Sequence, residues 1–155
     1  MEGRFDALMR ESVQGFTAYC GFTPVSMQSG AFVARITLQP HHLQQDGFAH
    51  AGVVALLADH TAGYAAFTLV PEDRRILTVE FKINLLAPAH GEYVECRARV
   101  IKPGKRLLIT ESDVFAVSGG DERLVAKALL TMAAVPAESV ARRSARGPGD
   151  VHGRP

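Results

Sequence analysis

Apolar positions along the chain change their period at a few sharp points, and those points divide it into elements. Phe5, Leu8, Met9, Val13 and Phe16 recur at the spacing of one helical face, which predicts an amphipathic helix over residues 1–20 packed on the body of the protein. Short apolar runs at 25–27 and 31–38 flank Gln28, Ser29 and Gly30, the pattern of a hairpin with one short and one longer strand. Pro40 ends the second strand. A polar loop from His41 to Gly47 then leads into residues 49–70, which are nearly all apolar or small and read as a central helix stopped by Pro71, Glu72 and Asp73. Gly47 stands where a positive φ is convenient.

The rest reads as strands. Leu77, Val79, Phe81, Ile83 and Leu85 alternate with Thr78, Glu80, Lys82 and Asn84, the period of a half-buried strand. Turns at 88–91, 102–105 and 118–121 connect it to strands over 93–102, 106–117 and 124–135, which predicts an antiparallel meander. Strands of about 10–12 residues, where about 5–6 is usual, twist into a curled sheet that one long helix can occupy. The predicted class is α+β, with residues 21–136 as one domain; short hairpin connections exclude a parallel doubly wound sheet. From Pro136 the composition turns to Arg142, Arg143, Arg146 and Arg154 mixed with glycine, proline and serine, so residues 137–155 are expected to form a disordered tail.

Composition narrows the function classes. The 47% apolar content of this 155-residue chain supports one real core. Seventeen Lys and Arg against 16 Asp and Glu leave a formal charge of +1, which offers no global attraction to nucleic acid or an anionic membrane. Cys20 and Cys96 form no CxxC pair and read as reduced, structural thiols. Charges at Glu2, Arg4, Asp6 and Arg10 interrupt any signal-peptide core, and Asp59 sits in the middle of the one stretch that resembles a membrane span. The expected location is therefore the cytoplasm, with no membrane contact.

Asp59 is also the one formal charge within residues 49–70. A helix so apolar must be mostly surrounded by protein, and burying a carboxylate costs several kcal/mol unless a partner or a function offsets it. Gly52, Ala55, Ala62, Gly63 and Ala66 share its helical face and are all small, which leaves room for a ligand, a second subunit or a close sheet crossing. A structural role, with Asp59 capping a loop or pairing with an arginine, remains open. At the helix start, His50, Ala51 and Gly52 present backbone N–H groups at the positive end of the dipole, a candidate oxyanion hole. Ala51 and Asp59 lie about 12 Å apart along the helix at 1.5 Å per residue, so joint action favours an antiparallel second copy, a symmetric homodimer with two shared sites.

The run His42-Leu43-Gln44-Gln45-Asp46-Gly47-Phe48-Ala49-His50-Ala51-Gly52, followed by Leu56 and Asp59, resembles the hotdog-fold thioesterases related to the phenylacetate-pathway protein. Their signature reads H-x-N-x-x-G-x-x-H-G-G with an acid seven residues on. The likeness spans most of residues 22–135 and includes the strand at Thr78, Val79, Glu80, Phe81, Lys82 and Ile83, the proline at 88 and the Lys102-Pro103-Gly104-Lys105 hairpin. It implies a single hotdog, one helix wrapped by a long antiparallel sheet, that hydrolyses acyl-CoA to free acid and thiol. Carried over by position, Asp59 is the catalytic carboxylate and the Ala51 N–H polarises the thioester carbonyl. Thr78 positions water, Gln44 meets substrate or water, and His50 orients the loop and helix start. Gly47 and Gly52 are the matching glycines beside the substrate. Relatives of this kind often pair dimers into tetramers.

Two positions depart from the signature. Ala51 replaces its first glycine, which a backbone donor tolerates if no positive φ is needed, and Gln44 replaces asparagine, which alters substrate positioning. His60 diverges from Asp59 by about 100° around the helix and reads as a packing histidine. No ligand spacing for a metal is present, and no cofactor is expected beyond the coenzyme A of the substrate. Lys102, Lys105 and Arg106 at the hairpin, with Arg74 and Arg75 after the helix, are candidates for the coenzyme A phosphates. Two other functions fit the same residues: a hydratase or dehydratase acting on acyl thioesters, and an acyl-CoA-binding protein without chemistry.

Overall fold

A computed structural model describes residues 3–145. The chain begins with helix α1 (Arg4–Glu11) and a short helix α2 (Phe16–Tyr19), followed by strands β1 (Phe22–Gln28) and β2 (Ala31–Thr37) and a 3-10 turn (Pro40–His42). Helix α3 (Ala51–Phe67) precedes strands β3 (Arg74–Leu85), β4 (Tyr93–Pro103), β5 (Leu107–Ser118) and β6 (Asp121–Pro136), and helix α4 (Ala137–Ser144) closes the described chain. All pairings are antiparallel, and the six strands lie in the order β1-β2-β4-β5-β6-β3.

Helix α3 lies in the concave side of this sheet and buries Val54, Leu57, Ala58, Thr61, Ala62, Ala65 and Ala66 against it. Small residues on that side let the helix axis approach the strands closely. The seat is also fixed by polar contacts in an otherwise apolar layer: the Ser112 hydroxyl of β5 donates to the Ala58 carbonyl at 2.8 Å, and Thr61 back-bonds to Leu57 at 2.6 Å. Truncating Leu57 to alanine in such a layer costs about 2–5 kcal/mol. The outer face of the sheet carries paired charges instead, Arg35 and Arg97 on Glu95, and Lys127 on Asp113 at 2.7 Å. This is the expected α+β architecture, one helix cradled by a long-stranded curled sheet.

The structure corrects four local expectations. The first strand of the expected meander, β3, makes no hairpin with β4; it crosses to the far edge and pairs with β6, from Arg74↔Pro136 to Leu85↔Ala126. Alternation defines a strand's faces and says nothing about its neighbour. The strict alternation of β3 also fails, because a bulge at Val79 interrupts the register between Thr78↔Met132 and Glu80↔Thr131. Thr78 thereby shares the inner face with Phe81 and Ile83, and Leu77 turns outward. The single helix expected over residues 1–20 is broken at Gly15, whose φ is 54°, and Thr17 closes the break by bonding the Ser12 carbonyl at 2.8 Å. Phe16, placed by periodicity on the packed face, is exposed. The tail expected to be disordered begins with α4, held at its start by an Ala137 N–H to Asp73 carbonyl bond of 2.8 Å; residues 146–155 lie outside the described residues.

Candidate active site

The site begins with the bulge. By turning Thr78 inward, it brings the threonine hydroxyl to α3, where it donates to Asp59 Oδ1 at 2.7 Å, with the Met132 sulfur 3.4 Å behind it. Among the described residues Asp59 has no arginine or lysine partner. Its second oxygen has no hydrogen-bond partner among the described residues. Because the hydroxyl proton is committed to the carboxylate, Thr78 offers a water only its lone pairs, and a water held between the two donates to both. Such a water is oriented with its own lone pairs outward.

The start of α3 forms a second cluster. His50 is the N-cap, with φ −58° and ψ 139°, and its Nδ1 accepts the Gly52 N–H at 2.8 Å. The imidazole sits so close that a Cβ on residue 52 would meet Nδ1 at 3.0 Å and push against the ring. The Val53 N–H goes to the His50 carbonyl at 2.9 Å. Ala51 is left as the first-turn residue whose N–H has no acceptor among the described residues, and since no non-glycine residue has a positive φ, alanine serves here as well as glycine. One open donor at a helix N-terminus suits a developing negative charge.

Ala51 borders a cavity of about 400 Å³ walled by Gln44, Phe48, Leu85, Leu86 and Pro88, with Val54, Ala89 and Val125 as its floor. Periodicity gave no signal for Phe48, Leu86 or Val125, because they meet only through the link between β3 and β4. That link bonds Leu86 N–H to the Val125 carbonyl at 2.8 Å and Ala89 carbonyl to the Ala49 N–H at 2.7 Å. Gln44 faces the same cavity, but its carboxamide turns back on its own loop, accepting the Asp46 N–H. Gly47 makes the tight turn of that loop at φ 85°.

Asp59 does not line this cavity; it lies eight residues, about 12 Å, farther along α3. Within one protomer the carboxylate and the open donor do not meet. His60 turns the other way, donating to the Ser12 carbonyl at 2.8 Å and packing edge-on against Phe22, and burial lowers its pKa. Of the five basic candidates, Arg74 and Lys105 wall a second cavity of about 380 Å³ beyond the C-terminal end of α3. Arg75 bonds the Glu72 and Arg74 carbonyls instead, and Lys102 and Arg106 are exposed outside that cavity. The described residues contain no cluster of three or more metal-ligating side chains, and no described helix is long and apolar enough to cross a membrane.

Comparison with known proteins identifies the family and the fold. A model of the thioesterase superfamily matches residues 46–122, from the loop before α3 to the start of β6. A thioesterase family protein from Silicibacter pomeroyi is 36% identical, with a TM-score of 0.82 over 85% of this chain and 98% of that one. A mutant of the phenylacetic acid degradation protein PaaI from Thermus thermophilus is 25% identical, with a TM-score of 0.66 over 76% of this chain and 96% of that one. The 1,4-dihydroxy-2-naphthoyl-CoA hydrolase of Listeria monocytogenes is 28% identical over 97 residues, 63% of this chain and 79% of that protein. With its helix seated in a curled six-stranded sheet and its sequence matched from the loop through β5, the chain belongs to the thioesterase superfamily and has the hotdog fold.

Proposed function

We propose that the protein hydrolyses acyl-CoA thioesters at two sites shared across a homodimer, each built from Asp59 and Thr78 of one protomer and Ala51 and Gln44 of its partner. The observation that carries this reading is the pair of unfinished half-sites on one helix: a carboxylate with one oxygen and, eight residues away, an N–H that have no partner among the described residues. The outer edge of β3 supports the dimer. It leaves Val79 at 59%, Phe81 at 43% and Leu85 at 54% exposed, a surface that suits burial rather than water. If β3 pairs antiparallel with its own copy about a two-fold near Phe81 and Lys82, Thr78 stands opposite the partner's Leu85, a wall of the cavity beside Ala51. The relatives' frequent dimer-of-dimers assembly is compatible with this pairing.

In the reaction, Asp59 takes a proton from the water held with Thr78 as the water oxygen attacks the thioester carbonyl carbon. The carbonyl oxygen becomes anionic beside the Ala51 N–H, at the positive end of α3. Collapse breaks the C–S bond, and the departing thiolate takes the proton, giving free acid and coenzyme A. Direct attack by Asp59 through an anhydride uses the same groups; ¹⁸O from water entering the Asp59 carboxylate marks that route. The cavity walls carry no formal charge, which suits an apolar acyl group. In this reading Arg74 and Lys105, which share the second cavity, take the phosphates.

Thiol release from a panel of acyl-CoA and acyl-N-acetylcysteamine thioesters tests the reading. Turnover of both series, with a higher KM for those lacking phosphates, is the expected result. Acyl-CoA binding without thiol release, or exchange at the acyl α-carbon alone, contradicts it and favours the binding or hydratase alternative.

A further inference from the structure

We infer that His42 is a positioning residue for this reaction, a buried imidazole that sets the loop carrying Gln44 against the helix start carrying Ala51. The inference rests on the reading of Ala51 as the oxyanion donor. The His42 side chain is only 3% exposed, and both ring nitrogens are engaged. Nδ1 accepts the Gln39 N–H at 2.9 Å, so the ring proton is on Nε2, which donates to the Cys20 carbonyl at 2.9 Å. A single neutral tautomer satisfies both partners. Burial, together with the adjacent His41, lowers its pKa and keeps that form at neutral pH.

The backbone of the same residue closes the loop. The His42 carbonyl accepts the His50 N–H at 2.8 Å, one residue before Ala51, while Gln44 N–H reaches the Phe48 carbonyl at 2.8 Å and Leu43 bridges Ala49. The imidazole therefore anchors the 3-10 turn at one end of the loop to β1's approach at Cys20, and the His42 backbone carbonyl holds the helix cap at the other. Packing alone would be served better by leucine, since a buried imidazole is costly unless both of its nitrogens are satisfied. What the imidazole adds is a fixed spacing between Gln44 and the open N–H of Ala51, both of which border the apolar cavity.

The test compares His42→Leu, His42→Asn and His42→Gln by kcat, KM and melting curve, with the best acyl-CoA of the panel. Asparagine supplies an acceptor near the Nδ1 position, and glutamine a donor near the Nε2 position. His42→Leu is expected to lose about 10²-fold in kcat per folded protein, comparable to loss of one oxyanion donor, with KM nearly unchanged. Each polar variant should recover part of that loss. The inference is overturned if His42→Leu melts earlier yet keeps its kcat, or if only KM moves. Where the leucine variant does not fold, wild-type kcat in both polar variants overturns it instead. Ala51→Pro separates the two readings: if it keeps its kcat, the oxyanion assignment fails, and if it loses kcat while the His42 variants do not, only the role of His42 fails.

Discussion

The two halves of the site are built differently. Asp59 and Thr78 stand on regular elements, the middle of α3 and a bulged strand, and one 2.7 Å bond joins them directly. Ala51 and Gln44 are placed by a loop, through the bonds that run from Cys20 to His42 to His50. The proposed base is thus held by the same contacts that hold the fold, among them Ser112 on the carbonyl of Ala58, immediately before it. The half proposed to bind the electrophile depends on a short closed loop and one cap, with the Gln44 carboxamide bonded to Asp46. In the proposed reaction the proton-moving group stands on regular elements, and the electrophile-binding group on a loop whose backbone is closed by hydrogen bonds, with the Gln44 side chain as the part that adjusts to a ligand.

That contrast predicts a ranking of effects. Asp59→Asn should cost the most, about 10²–10⁴-fold in kcat with KM and melting temperature nearly unchanged, read by thiol release under saturation. Ala51→Pro follows at about 10²–10³-fold in kcat. Proline removes the N–H yet is accommodated at the first helical position, and the extended φ and ψ of His50 suit the residue before a proline, so the far-ultraviolet circular dichroism should not change. Thr78→Val removes a hydrogen bond to a carboxylate and should lower kcat by about 10-fold. The smallest effect is on stability. His42 and His60 have pKa values lowered chiefly by burial, so the fold favours their neutral forms. Their contribution is complete above the unfolded value of about 6.5 and is lost as pH falls below it through the folded values. The melting temperature should drop between pH 7.5 and 5.5, and His60→Asn should flatten that slope.

Much of this was legible in the residues. The long apolar segment with Asp59 at its centre became α3, the glycine and proline turns marked the hairpins of β4, β5 and β6, and the run from His42 to Gly52 marked the helix start. The position of β3 was hidden, because pairing with β6 depends on a crossover that alternation does not encode. So was the bulge at Val79. Strict alternation set Thr78 on the outer face, in conflict with a role beside Asp59, and one unpaired residue resolves the conflict. The cavity walls at Phe48, Leu86 and Val125 come from three distant segments, and no local pattern joins them. The Gly15 break and helix α4 were missed for a simpler reason: short elements held by tertiary bonds, such as Ala137 to Asp73, leave little periodic trace.

The shared site is tested most directly by a heterodimer of Asp59→Asn and Ala51→Pro chains, co-expressed with different tags and purified through both. Either homodimer has no intact site. In the heterodimer, the Asp59 of the proline chain meets the Ala51 of the asparagine chain and restores one site of two, so turnover should return to about half that of the parent dimer. A heterodimer as inactive as both homodimers would contradict a site built from two protomers.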